Sequence, residues 1–222
     1  MNLFKIPRQI TYTIIPLSLI IMGDSILYVI LPTNYEFFEI NSYLSLPYEF
    51  WIGFILSINR FIRFFSNIFS VKIFKFFGFR NTIYIACFLG AGSTLFYALF
   101  KGVLLLILAR IIWGFSYSLF RLGYQLKVFS FSVNNYGKYL GYCLGIQRTG
   151  SFLVVTLGVL ISIKFGIYLT LILLSLLIIP ALIISYFIKN LEMSKYTPGK
   201  INWNLIYNDQ KNNIRNKIIT IS

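Results

Sequence analysis

Six stretches of this chain are long and apolar enough to cross a lipid bilayer, and they leave little room for anything else. They run over Ile10–Leu31, Phe50–Phe69, Thr82–Phe100, Val103–Arg121, Leu140–Ile163 and Ile167–Ile188. Crossing the hydrocarbon takes about 20 mostly apolar residues per helix. Within lipid each backbone N–H and C=O must be paired inside its own segment, so such spans are helices. The expected fold class is therefore all-α: a polytopic membrane protein with six transmembrane helices. Composition agrees, since 58% of the 222 residues are hydrophobic and 12% charged, against about 25% charged in soluble domains. A soluble enzyme is excluded on those grounds. The first run is not expected to be a cleaved leader, because it carries Asp24 and has no small-x-small site before Pro32.

The absent residue types narrow the chemistry. Histidine is missing altogether, which removes imidazole acid–base catalysis and His-ligated metal sites. Cys87 and Cys143 sit singly inside apolar runs, so neither a disulfide framework nor a C-x-x-C site is expected. Serine hydrolysis within the membrane would need a histidine. Head-group transfer would need clustered aspartates, and only Asp24 and Asp209 occur. No enzyme activity and no cofactor is expected.

The formal charge is +14, and its placement predicts a topology. Lys5 and Arg8 precede the first span, whereas the next loop holds Glu36, Glu39 and Glu49 and no basic residue. Lys72, Lys75 and Arg80 follow the second span, Lys101 alone separates the third from the fourth, and Lys127 and Lys138 come next. Lys164 stands alone between the last two spans, and six basic residues from Lys189 to Lys217 lie in the tail. Rich and poor loops alternate, which places both termini in the cytoplasm by the positive-inside rule. The basic excess belongs to this pattern and not to a nucleic-acid interface. Residues 1–190 read as one transmembrane domain, and 191–222 as a polar tail. The tail is either disordered, as its composition favours, or a surface helix carrying Ile201, Leu205 and Ile206.

Charges inside the spans carry the functional signal, because a mid-bilayer charge costs roughly 2.5–3.5 kcal/mol and turns toward protein or a cavity. Asp24, Arg60, Arg63, Arg110 and Arg148 lie in spans one, two, four and five. The third and sixth spans have none, so the third helix of each group of three is expected to face lipid. That distribution suits a 3+3 inverted repeat. Arg60, Arg63 and Asn67 share a helix face, as do Arg110, Gly114, Tyr117 and Arg121. Gly137, Gly141 and Gly145 have the small-x-x-x-small spacing that lets helices approach closely.

Asp24 and Arg110 each lie seven residues from the outer end of their span. At 1.5 Å per residue both sit about 10 Å deep. Asp24 is the sole acid within any span, so it is expected to pair with Arg110. The pair either holds two helices together or forms a substrate or proton-coupling site. Three positive charges remain after pairing, which favours an anionic or zwitterionic solute.

These residues resemble the N-terminal six-helix half of a major facilitator superfamily (MFS) permease over residues 10–190. Gly23-Asp24-Ser25 followed by Leu31-Pro32 is similar to the first helix of several bacterial members. Ser57 to Arg63 with Asn67 resembles a second helix, Arg110 with Gly114 matches R-x-x-x-G of helix 4, and Gly141, Gly145, Gly150 and Gly158 resemble the glycine-rich helix 5. The resemblance implies a secondary active transporter working by alternating access, with helices 1 and 4 facing the cavity. It also implies a bacterial inner (plasma) membrane, and a tail that begins the central cytoplasmic loop. The substrate or coupling candidates are then Asp24, Arg60, Arg63, Arg110, Arg148 and Asn67. The gating-loop candidates are Lys75, Gly78 and Arg80.

Departures from the family pattern are specific. The loop after helix 2 usually reads G-x-x-x-D-R-x-G-R-K, and here Val71, Lys75 and Phe76 replace the first glycine, the acid and the next basic residue. The G-P pair of drug/proton antiporters is missing, since Val159 follows Gly158. The family's second six helices are not present, so a second six-helix half or a homodimer is the expected partner, beside the lipid bilayer and a small solute. The alternatives are a substrate-binding membrane subunit of another transport complex and a degenerate, non-functional fragment.

Overall fold

A computed structural model describes residues 6–40, 45–131 and 135–191. The tail from 192 onward, with its expected surface helix or disorder, lies outside the described residues. Among those described, six helices are long and apolar enough to cross a membrane: span 1 (Arg8–Thr33), span 2 (Tyr48–Phe77), span 3 (Phe79–Leu99), span 4 (Val103–Phe131), span 5 (Tyr136–Phe165) and span 6 (Ile167–Tyr186).

Spans 2, 4 and 5 run further than their apolar cores. Span 2 continues through Lys72 and Lys75 and stops only at Gly78, whose backbone (φ 78°, ψ 168°) ends one helix and starts the next. A positive φ of this kind is strained for any residue with a Cβ. Gly78 N–H donates to the Phe74 carbonyl at 3.1 Å, and its own carbonyl accepts from Thr82 N–H at 3.2 Å and Thr82 Oγ1 at 2.7 Å. Spans 5 and 6 are joined the same way, through Gly166 at φ 85° and ψ 157°. Hydropathy underestimates such helices because long basic side chains reach out of the hydrocarbon while the backbone stays helical.

Two spans carry irregular turns. Span 5 holds a π-helical turn at Val154–Gly158. Span 6 breaks at Leu176–Leu177, where Pro180 has no N–H to return to the Leu176 carbonyl; Ile179 N–H takes that acceptor instead, at 3.0 Å.

Spans 1, 3 and 4 form the interior, each with more than half of its most apolar stretch buried, whereas spans 2, 5 and 6 have 22% buried. This corrects one expectation. Span 3 carries no internal charge, yet it is packed inside the bundle and not turned wholly to lipid. Its small residues Ala86, Gly90, Ala91, Ser93, Thr94 and Ala98 are buried, and they permit close approach. A Cβ on Gly90 would lie 2.4 Å from Ile20 Cγ2, and Ser116 Oγ donates to the Ala86 carbonyl at 2.7 Å. Span 6 differs, with 22% of its most apolar stretch buried.

Each end of the bundle is tied. At one end the Phe38 carbonyl accepts from Gly102 N–H at 2.9 Å and Lys101 pairs with Glu39 at 3.3 Å. At the other, Gln9 bonds the backbone of Phe187 and Lys189, Lys127 Nζ donates to the Lys189 carbonyl at 2.6 Å, and Arg80 N–H donates to Asn190 Oδ1 at 3.0 Å.

Candidate functional site

A cavity of about 460 Å³ opens between spans 1, 2, 4 and 5. Span 1 contributes Ile21, Asp24, Ser25 and Tyr28, span 2 Arg60 and Arg63, span 4 Tyr117, and span 5 Gln147, Arg148, Ser151 and Val155. Spans 3 and 6 contribute none of its lining. Its volume lies within the range of small-molecule sites, about 300–1,000 Å³.

The wall is built on an ion pair. Arg110 Nη1 donates to Asp24 Oδ1, and both residues are buried. Three further N–H groups of Arg110 are also engaged: Nε reaches the Ile55 carbonyl at 3.0 Å, and Nη2 reaches Tyr28 Oη and the Leu56 carbonyl, each at 3.0 Å. With four of its five N–H groups engaged, this guanidinium is largely committed to the protein. Arg110 stands behind Asp24 and is not part of the lining. Four residues on, Gly114 lets span 2 approach, since a Cβ there would lie 2.9 Å from the Asn59 carbonyl oxygen.

The other arginines are arranged differently. Arg63 lies with its guanidinium carbon 3.8 Å from the centre of the Tyr117 ring, a cation–π contact. Its Nε is buried without a hydrogen-bond partner. Tyr117 Oη accepts from Gln147 Nε2 at 3.0 Å, while Gln147 Oε1 is buried and unpaired. Ser25 Oγ donates to Ser151 Oγ at 2.9 Å and closes the wall between spans 1 and 5. Arg60 and Arg148 face the cavity as exposed side chains.

The residues singled out from sequence thus divide. Asp24, Arg60, Arg63 and Arg148 come together around one cavity, and Arg110 supports it from behind. Asn67 is exposed and lies outside the lining, one turn beyond Arg63. Lys75, Gly78 and Arg80 sit together at the turn between spans 2 and 3, away from the cavity. That turn is a single glycine, with Lys75 in the last turn of one helix and Arg80 packed 5.7 Å from the Tyr186 ring in the next.

Tyr28, Gln147, Ser25 and Ser151 also line the cavity and were not singled out from sequence. Gln147 had a usable signal, being an amide inside an apolar run beside Arg148. The glycines divide as well. Gly150 and Gly158 pack span 5 on span 1, with a Cβ at Gly150 only 2.4 Å from the Ser18 carbonyl oxygen. Gly137, Gly141 and Gly145 have no described atom within 4 Å of where a Cβ would stand. The close-packing role expected for that stripe is therefore not exercised among the described residues. No protein-family model and no curated protein sequence matches this chain.

Proposed function

We propose that this chain is the N-terminal six-helix half of a split or truncated MFS secondary transporter that moves a small solute across a bacterial inner membrane, with both termini cytoplasmic. The observation that carries this reading is the cavity. It is polar, it lies between apolar helices, and its lining comes from spans 1, 2, 4 and 5 only. Buried charge at such a position is expensive and marks a solute or ion pathway by default.

A repeat of three helices is supported by the lengths. Spans 2 and 5 both run 30 residues, and spans 3 and 6 run 21 and 20. Each 30-residue helix turns into its successor through a single positive-φ glycine, Gly78 or Gly166. Two such units of opposite topology, meeting at a central site, form the architecture of many secondary transporters.

The need for a partner is supported by spans 2 and 5. Phe61, Phe64, Phe65 and Ile68 on span 2 are 60–73% exposed. Gly137, Gly141 and Gly145 on span 5 are uncovered, and Arg60 and Arg148 open between these two helices. A second six-helix half would cover this surface and complete the site.

The test is sidedness. With Cys87 and Cys143 buried, Ser151→Cys would supply an accessible thiol in the cavity. Alternating access predicts that a membrane-impermeant thiol reagent reaches it from either side in vesicles of the producing cell, where any partner is present. Collapse of the ion gradients should shift the ratio. Reaction from one side only, under every condition, would refute transport.

A further inference from the structure

Resting on the reading of this cavity as a solute site, we infer that it takes a phosphate group: a dianionic oxyanion with a hydroxyl on the same small molecule. Charge is the first reason. Asp24 is the sole acid among the described residues of the lining and pairs with Arg110 behind it. One carboxylate against four guanidiniums leaves a surplus of three positive charges, with Arg60, Arg63 and Arg148 in the lining. A monoanion would leave two positive charges unmatched in a low-dielectric setting, whereas a dianion leaves one. The arginines come from two helices, spans 2 and 5, so one anion can be gripped from two sides. Guanidinium groups suit this, because their planar donor forks match the oxygens of phosphate.

Hydrogen bonding sharpens the assignment. Arg63 Nε is a buried donor and Gln147 Oε1 a buried acceptor, and neither has a partner among the described residues. An unmatched buried polar atom is costly, so a ligand that completes both gains selectivity as well as affinity. A fully deprotonated anion can accept from Arg63, but it places lone pairs against Gln147 Oε1. A phosphate-type ligand answers both atoms. Hydrogen phosphate carries its own O–H, and a phosphate monoester supplies one where its organic part bears a free hydroxyl. The volume of about 460 Å³ accommodates an organic part. The same chemistry has two sources, a soluble phosphate compound and the head group of a phosphate-monoester lipid entering from the bilayer.

Sulfate is the decisive comparison, because it matches hydrogen phosphate in charge and shape and lacks the hydroxyl. The full-length protein is placed in nanodiscs of phosphatidylcholine at neutral pH and titrated with sodium phosphate or sodium sulfate at matched ionic strength, with binding read by calorimetry and the thermal midpoint. Phosphate should bind saturably, at least about tenfold more tightly than sulfate. Arg60→Gln should weaken phosphate binding about tenfold or more; that side chain is exposed and makes no hydrogen bond or ion pair among the described residues, so the variant should retain its structure. Gln147→Leu should bring phosphate and sulfate together.

A second arm replaces part of the phosphatidylcholine with lysophosphatidic acid, a phosphate-monoester lipid whose glycerol keeps a free hydroxyl. A rise in thermal midpoint there that Arg60→Gln abolishes, with no response to free phosphate, makes the lipid head group the source and sustains the assignment. Equal affinity for sulfate and phosphate overturns it, as does no response in either arm. Binding is measured without a gradient, so such a failure leaves two-sided access at position 151 standing. Conversely, one-sided access with selective phosphate binding removes transport and leaves the site.

Discussion

Arg110 and Asp24 form an ion pair across spans 4 and 1 in the bundle interior, with side chains 0% and 5% exposed. A buried pair with four of the guanidinium's five N–H groups engaged is held in place by the cost of breaking it. Removing one partner leaves a bare charge and costs about 3–5 kcal/mol. Asp24→Asn should therefore destabilise the protein by that amount in reversible unfolding in mixed micelles. Adding Arg110→Gln should recover part of the loss. A double variant no more stable than Asp24→Asn would show that the pair contributes nothing of its own.

Tyr117 has two duties that separate cleanly. Its ring carries Arg63 and its hydroxyl accepts from Gln147. Tyr117→Phe keeps the ring and should cost about 1 kcal/mol for the hydrogen bond. Tyr117→Leu also loses the cation–π contact and should cost about 0.5–2 kcal/mol more. Unfolding free energies of the two variants check this, and equal losses would exclude the ring as a support for Arg63.

The glycines of span 5 make a sharper contrast. Gly150→Ala places a Cβ against the Ser18 backbone and should destabilise by about 1–3 kcal/mol. Gly141→Ala meets nothing within the chain and should be neutral or stabilising by up to about 1 kcal/mol, through helix propensity. If Gly141→Ala lowers activity in cells while leaving the purified chain stable, the stripe is occupied by a partner.

Topology is testable separately. A reporter fused after Ser222 should be active only if it works in the cytoplasm, because the basic loops alternate in that sense. Activity confined to the opposite side would overturn the orientation and the family reading together.

Purified alone and reconstituted in liposomes, the chain should show no uptake, because spans 2 and 5 leave Arg60 and Arg148 uncovered. Solute flux by a monomer of 25.8 kDa would refute the requirement for a second half.

Six helices and the pairing of Asp24 with Arg110 were legible in the sequence by itself. Both follow from large costs with one remedy: an apolar run of that length has few stable settings but lipid, and one acid at matched depth has few partners. Helix ends were less legible, because the backbone ladder continues past the apolar core until a glycine such as Gly78 stops it.

Only the tertiary structure decided which way each helix is rotated. That rotation set Arg110 behind the wall, left Asn67 outside the lining and turned Gly141 and Gly145 to open space, while bringing Gln147 and Tyr117 to Arg63. The reason is physical. Uncharged polar residues and glycines bear a small penalty in any orientation, so their facing is determined by the packing of neighbouring helices. Span 3 illustrates this best, since small side chains, with no charge among them, took it into the interior.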